Sequence, residues 1–258
     1  MTDVFAPNLL AGQHAFVTGG TSGINLAIAT RFIEAGARVT ILGRNVEKAA
    51  AAAASIGARA ATADVRDFAA LSAQIDASVA EYGPLDIVVA GAAGNFPAPA
   101  MGISSNGFKA VIDIDLLGAF HACRAAFPHL KKPGGSILTI SATQSFTPAM
   151  MQAHVCAAKA GIDQMVKVLA MEWGPSGVRV NSIAPGPIAD TVGMDKLAPD
   201  EAMRAKATAA IPLRRFGTKR EIADLALFLS SSAASYITGA LFVADGGQSL
   251  SGYGAIFG

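Results

Sequence analysis

The 258 residues carry 20 Lys+Arg against 19 Asp+Glu, a formal charge of +1, with 52% hydrophobic and only 15% charged residues. That balance excludes the basic footprint of a nucleic-acid binder and the core-poor, charge-rich composition of a disordered chain. It suits one large domain spanning residues 1–258, and no apolar run approaches the roughly 18 residues a membrane span needs.

The first predicted element is a strand, His14–Thr18, followed without a linker by the helical pattern Ser22–Ala35. Between them lies Thr18-Gly19-Gly20-Thr21-Ser22-Gly23-Ile24-Asn25. Small residues there let backbone N–H groups approach a pyrophosphate at the positive end of a helix, so Gly19, Thr21, Ser22, Gly23 and Ile24 are candidate dinucleotide contacts. A second strand, Arg38–Leu42, ends in Gly43-Arg44-Asn45. An acidic side chain at this tip suits NAD. Here Arg44, with Asn45 beside it, offers a guanidinium that forks onto a 2′-phosphate, which points to NADP(H).

A helix at Val46–Ser55 includes six consecutive alanines, good helix formers that need no other explanation. Strand Arg59–Thr62 runs into Ala63-Asp64-Val65, where Asp64 could accept from an adenine amino group. Then follow helix Phe68–Tyr82, strand Asp86–Ala90, a long helix Gly107–Leu130, strand Ser136–Ser141, helix Gln152–Trp173 and strand Val178–Ile183. Pro185–Asp200 is expected to be an active-site flap, before helix Lys219–Ser230 and strand Leu241–Ala244. Runs such as Ile87-Val-Val89 are apolar throughout, as strands covered on both faces are. The alternation predicts an α/β fold: a doubly wound, seven-stranded parallel sheet with helices on both faces.

The two cysteines, Cys123 and Cys156, fall in helical patterns, and the four histidines are scattered, so neither a disulfide framework nor a metal site is expected. Met1-Thr-Asp-Val4 has neither a basic nor an apolar signal region, and a cytoplasmic location is the expectation.

Several motifs then fall in one order: the glycine turn, Asp64-Val65, Asn181-Ser-Ile-Ala-Pro-Gly186, Pro212-Leu-Arg-Arg-Phe-Gly217, and Ile237-Thr-Gly239 before Asp245-Gly-Gly247. In these the sequence resembles the short-chain dehydrogenase/reductases over essentially its whole length, which implies a single Rossmann-type domain. The resemblance makes Val65, Ala90, Gly91, Ala92, Pro185, Gly186, Ile188 and Thr191 further cofactor contacts. Ala90 and Gly91 stand where the family often has asparagines. Asn25 replaces the third glycine of the turn, adding bulk where helix and strand pack, and its effect on cofactor affinity is left open by the sequence. The family's dimer-forming helices fall at Gly107–Leu130 and Gln152–Trp173, implying a homotetramer.

One departure bears on the chemistry. The family's proton donor is a Tyr four residues before a Lys; the Lys position is Lys159, but Val155 occupies the Tyr position. Tyr82, Tyr236 and Tyr253 are followed four residues later by Asp86, Ala240 and Phe257, so no Tyr-x-x-x-Lys exists. An aliphatic side chain donates no proton, and ordinary alcohol/ketone chemistry by the standard acid is excluded. Ala142 stands where the catalytic Ser often falls, with Ser141 next to it.

The segments Ala92-Ala-Gly-Asn-Phe96, Ser105-Asn-Gly-Phe-Lys-Ala-Val-Ile-Asp-Ile-Asp115, His154 to Lys159 and Pro185-Gly-Pro-Ile188 resemble the 2,4-dienoyl-CoA reductases, in which the family's active-site Asn is an Asp, here Asp115. The resemblance implies NADPH-dependent reduction of a conjugated dienoyl thioester to an enoyl-CoA, with hydride going to the δ carbon and charge running to the thioester oxygen. Lys159 would bond the nicotinamide ribose, Asp115 would hold a proton-donating water or a structural hydrogen bond, and His154 would line the thioester pocket or relay a proton. Ser141 is either catalytic or a strand-end residue. Phe96 and Ser104, Ser105 and Asn106 would meet the acyl–pantetheine arm, and Arg66 and Lys196 the CoA phosphates. Two alternatives remain open at this level: another enoyl, enone or carbonyl substrate, or a catalytically silent NADP(H)-binding member of the family.

Overall fold

A computed structural model describes residues 3–191 and 200–250. Seven parallel strands form one sheet in the order β3-β2-β1-β4-β5-β6-β7: β1 His14–Thr18, β2 Arg38–Gly43, β3 Arg59–Thr62, β4 Ile87–Ala90, β5 Ser136–Ile140, β6 Arg179–Pro185 and β7 Leu241–Ala244. Alternation along each strand divides the core. Phe16, Val88 and Ile137 enter the layer shared with Leu71, Ile75 and Ala122. Ala15, Val17, Ile87, Val89 and Leu138 enter the opposite layer with Ile28, Phe32 and Leu227. Both faces are thus buried, the reason the strands read as continuous apolar runs.

Among the described residues the α-helices are α1 Gly23–Glu34, α2 Val46–Ile56, α3 Phe68–Tyr82, α4 Ser105–Val111, α5 Gly118–Ala126, α6 Ala153–Trp173, α7 Glu201–Ala209 and α8 Lys219–Ser230. Their limits follow from local chemistry. Asp67 accepts from the Ala70 N–H to start α3, and Thr218 and Glu221 close a reciprocal capping box on α8.

The single helix expected over Gly107–Leu130 is not what forms. The Ser104 hydroxyl accepts from the Gly107 N–H and starts α4 two residues earlier than expected. A π-helical segment, Ile112–Leu117, then inserts between α4 and α5. A 3₁₀ turn at Phe127–His129, with Pro128 in its first turn, closes the run. Helix α7, to which the sequence reading assigned no element, follows the expected flap and is capped by Asp200, whose side chain accepts from the Met203 N–H.

The strand order reverses between β1 and β4, so their C-terminal ends splay a crevice, the usual ligand position in such sheets. At the opposite end of the sheet His14 is fully buried, its ring nitrogens 2.8 Å from the Gly83 carbonyl and the Ser78 hydroxyl. Burial holds its pKa below the ordinary 6.5. The unfolded chain therefore takes up this proton before the folded one. His14's contribution is complete above pH 6.5 and is lost as pH falls through the depressed value. Thermal unfolding from pH 8 to 5 is expected to show a decline that a His14→Gln variant, less stable throughout, shows less steeply.

Candidate active site

The crevice at the β1/β4 switch is a cavity of about 500 Å³ lined by Gly19, Thr21, Ser22, Asn25, Gly43, Arg44, Lys48, Asp64, Val65, Gly91, Ala92 and Ile114, among others. That volume lies within the range of cofactor sites. Gly19 adopts φ +68, and a Cβ on it would lie 2.8 Å from Ala92 Cα, so the turn can pass under β4's exit only as glycine. Ser22 precedes α1 in extended conformation without capping it through its side chain, which leaves the first N–H groups of α1 without a capping acceptor. Beside Gly23, where α1 starts, a Cβ would meet nothing within 4 Å. This cradle fits the pyrophosphate of a dinucleotide. Ala90 is buried in the core below it.

The end of the cleft at the tips of β2 and β3 is a cluster of charge. Asp64 accepts from Arg66 Nε at 3.0 Å and Nη2 at 2.7 Å, and Arg44 Nη1 stands 4.0 Å away. The hydrogen-bonded Arg66 holds the Asp64 carboxyl at about 2, so it is an acceptor throughout the physiological range. Arg66, read from the sequence as a CoA-phosphate ligand, thus sits against the carboxylate that Arg44 also approaches. Asn45 turns its side-chain oxygen to the Lys48 N–H and caps α2. Lys48 itself reaches the cleft, Nζ 3.4 Å from Ser22 Oγ. No motif marks Lys48; its place in the first turn of α2 after Arg44 was the available signal.

Asp115 lies in the π-helical segment, 1% exposed. Oδ1 accepts from the Gly94 N–H at 2.7 Å, and Oδ2 is 3.1 Å from Lys159 Nζ. Lys159, in α6, also donates to the Ile140 carbonyl at 3.0 Å. A π turn inside an α-helix is a common device at functional positions. Here it delivers a buried carboxylate to a buried ammonium. Val155, one turn before Lys159, packs with Val111 and Ala158 against Ile112 and Leu116. Among the described residues no phenol reaches this place. Tyr82 ends α3 beside His14, ring centroids 5.3 Å apart, at the opposite end of the sheet, and Tyr236 is fully exposed.

The other candidates fall in several places. Ser141, directly after β5, is buried with its hydroxyl unpartnered, as is the Ser145 hydroxyl a turn later, which sequence reasoning did not single out. His154 is fully buried, both ring nitrogens lack partners, and its ring lies 4.4 Å from that of Phe96 and 6.5 Å from that of Phe108. A Cβ on Gly107 would come within 3.2 Å of Phe96 Cζ, so Phe96 also sits at the Ser104–Gly107 turn that opens α4. The structure therefore brings Phe96, His154 and that turn together, whereas Arg66 lies with Asp64 and Arg44. Lys196 is outside the described residues. Pro185 and Gly186 border a further cavity of about 330 Å³ with Thr143, Gln144 and Gln248. Ile188 pairs with Gly217, and Thr191 donates to the Ile188 carbonyl. Among the described residues no cluster of His, Cys, Asp or Glu could hold a metal, and no helix is long and apolar enough to cross a membrane.

A family model described as enoyl-(acyl carrier protein) reductase matches residues 19–249. The chain is 43% identical over 256 residues to a Danio rerio protein named peroxisomal 2,4-dienoyl-CoA reductase, (3E)-enoyl-CoA-producing, with 96% of this chain and 85% of that one covered. A Saccharomyces cerevisiae protein described in the same way is 43% identical over 251 residues, covering 94% and 86%. The crystal structure of a short chain dehydrogenase from Bacillus anthracis aligns with a TM-score of 0.83 at 37% identity, covering 92% of this chain and 96% of that one.

Proposed function

The chain belongs to the short-chain dehydrogenase/reductase family, and from that premise we propose that it is an NADPH-dependent reductase of 2,4-dienoyl-CoA thioesters. The observation that carries this is the buried Asp115–Lys159 pair with the aliphatic Val155 standing where the family's phenol stands. Such a site holds positive charge and a carboxylate but no acid for a carbonyl oxygen. It suits a reaction whose charge develops far from the carbon that is reduced.

When bound, NADPH supplies the hydride that adds to the δ carbon of the diene. Arg44 would hold its 2′-phosphate and Asp64 its adenine amino group, while the N–H groups opening α1 would take the pyrophosphate. Charge then runs through the conjugated system to the thioester oxygen, and the Lys159 ammonium, kept from water, stabilises it more than an exposed lysine could. Asp115 accepts from a water that gives its proton to the α carbon. The double bond is left between the β and γ carbons, the (3E) product printed in the names of the Danio rerio and Saccharomyces cerevisiae proteins. Phe96, backed by His154, and the turn of Ser104, Ser105 and Asn106 form the wall for the acyl–pantetheine arm. Exposed apolar Leu117, Val168 and Met171 on the π segment and α6 support a homotetramer built on these helices.

Mixing the protein with NADPH and trans-2,trans-4-hexadienoyl-CoA is expected to consume cofactor stoichiometrically and yield a 3-enoyl-CoA. Turnover of simple enones but not of the thioester would assign another substrate. NADPH binding without oxidation of either kind would leave a silent family member.

A further inference from the structure

Asn25 and Gly91 are 66 positions apart, and each departs from its usual family residue, yet the structure fits them to one another. Asn25 Nδ2 donates to the Gly91 carbonyl at 2.7 Å and lies 3.5 Å from the Gly19 carbonyl. The amide therefore ties the glycine turn after β1 to the exit of β4, the two sides of the cofactor cleft. A Cβ placed on Gly91 would fall 2.3 Å from Asn25 Oδ1 and 2.6 Å from both Cγ and Nδ2, and these are its three nearest atoms. Gly91 has no positive φ, so its backbone would accept alanine without strain. A side chain at 91 would meet the Asn25 amide, which would have to give up its place.

Asn25 Oδ1 is buried and has no hydrogen-bond partner. An orphaned buried acceptor lowers stability and offsets what the Nδ2 bond to Gly91 contributes to folding. We propose that Asn25 is a positioning residue for the dinucleotide. Its amide braces the phosphate-binding turn against β4, and Gly91 is the space cleared for it. The bulk whose effect the sequence leaves open is, in this reading, the element that sets the width of the cleft. This rests on the assignment of the cleft to NADPH, and it adds the pair that holds the cleft open to the right span.

The test is a double-mutant cycle with two readouts, the Kd for NADPH by its fluorescence and the melting temperature of the cofactor-free protein. Asn25→Ala is expected to weaken NADPH about tenfold, the scale of one lost hydrogen bond, with the melting temperature unchanged or raised. A merely structural residue would lower the melting temperature and leave Kd alone. Gly91→Ala is expected to weaken NADPH about 30-fold or more, or to unfold the protein, when Asn25 is present. Added to Asn25→Ala it should change Kd by no more than about threefold, since the obstructing atoms are gone. Equal damage from Gly91→Ala in both backgrounds overturns the proposal, as does an Asn25→Ala protein that binds NADPH normally. Failure of the unaltered protein to bind NADPH would overturn the cofactor assignment and this proposal with it. Normal binding without coupling overturns the proposal alone.

Discussion

Asp115→Asn is expected to lower dienoyl-CoA turnover by about 10²- to 10³-fold, the usual scale for losing a group that manages a proton, while the Kd for NADPH changes little. Asparagine keeps the shape and one oxygen for the Gly94 N–H but removes the charge opposite Lys159. It also restores the residue usual in the family, so a simple return to type predicts no harm. The opposite expectation follows from burial. Asp115 is 1% and the Lys159 side chain 7% exposed, and a buried ammonium left facing a neutral amide loses the partner that holds it in place. The same imbalance lowers stability by up to about 3–5 kcal/mol, so thermal unfolding should accompany the kinetics to show that the variant is folded at the assay temperature. A steady-state measurement in which kcat falls and KM for the thioester stays near its original value assigns the carboxylate to the chemical step. Unchanged turnover would reduce Asp115 to a structural tie between α6 and the π-helical segment.

Arg44→Ala is expected to raise the Kd for NADPH by about 10- to 100-fold, the range of a charge-assisted hydrogen bond converted at 1.4 kcal/mol per decade, and to leave NADH nearly unaffected. Arg44 is suited to this because it is not already committed. Its side chain is 66% exposed and its closest approach to Asp64 is 4.0 Å. Arg66, by contrast, is held on Asp64 through two guanidinium nitrogens. The phosphate effect should weaken as salt is added, since the guanidinium is open to solvent. Parallel titrations with NADPH and NADH decide it, and equal weakening of both would take Arg44 off the 2′-phosphate.

The strands were legible because a strand buried on both faces leaves an uninterrupted apolar run, and α3 and α8 because Asp67 and the Thr218–Glu221 pair write their starts into the chain. The break in the Gly107–Leu130 run was not legible. The residues on either side of the π segment are all compatible with a helix, and the partners Asp115 meets from the segment, Gly94 and Lys159, are distant in sequence. Helix α7 escaped notice because it buries no side chain and so shows no apolar stripe, although Asp200 before Glu201 was a usable start signal. In the site, positions carried by motifs could be read one by one. Associations could not: that Arg66 folds back on Asp64 two residues away, or that Asn25 occupies the room left by Gly91, is decided by chain paths that no local pattern records.

Val155 precedes Lys159 by one helical turn, as Val111 precedes Asp115, so the apolar cluster of Val111, Val155 and Ala158 forms a dry collar next to the charged pair. A phenol in that collar would have brought a dipole and, with it, a route for solvent. With valine the collar insulates. Since the force between charges grows as the surrounding medium becomes less polarisable, the exchange that stripped this protein of its hydroxyl acid also sharpened the field of the amine that remains.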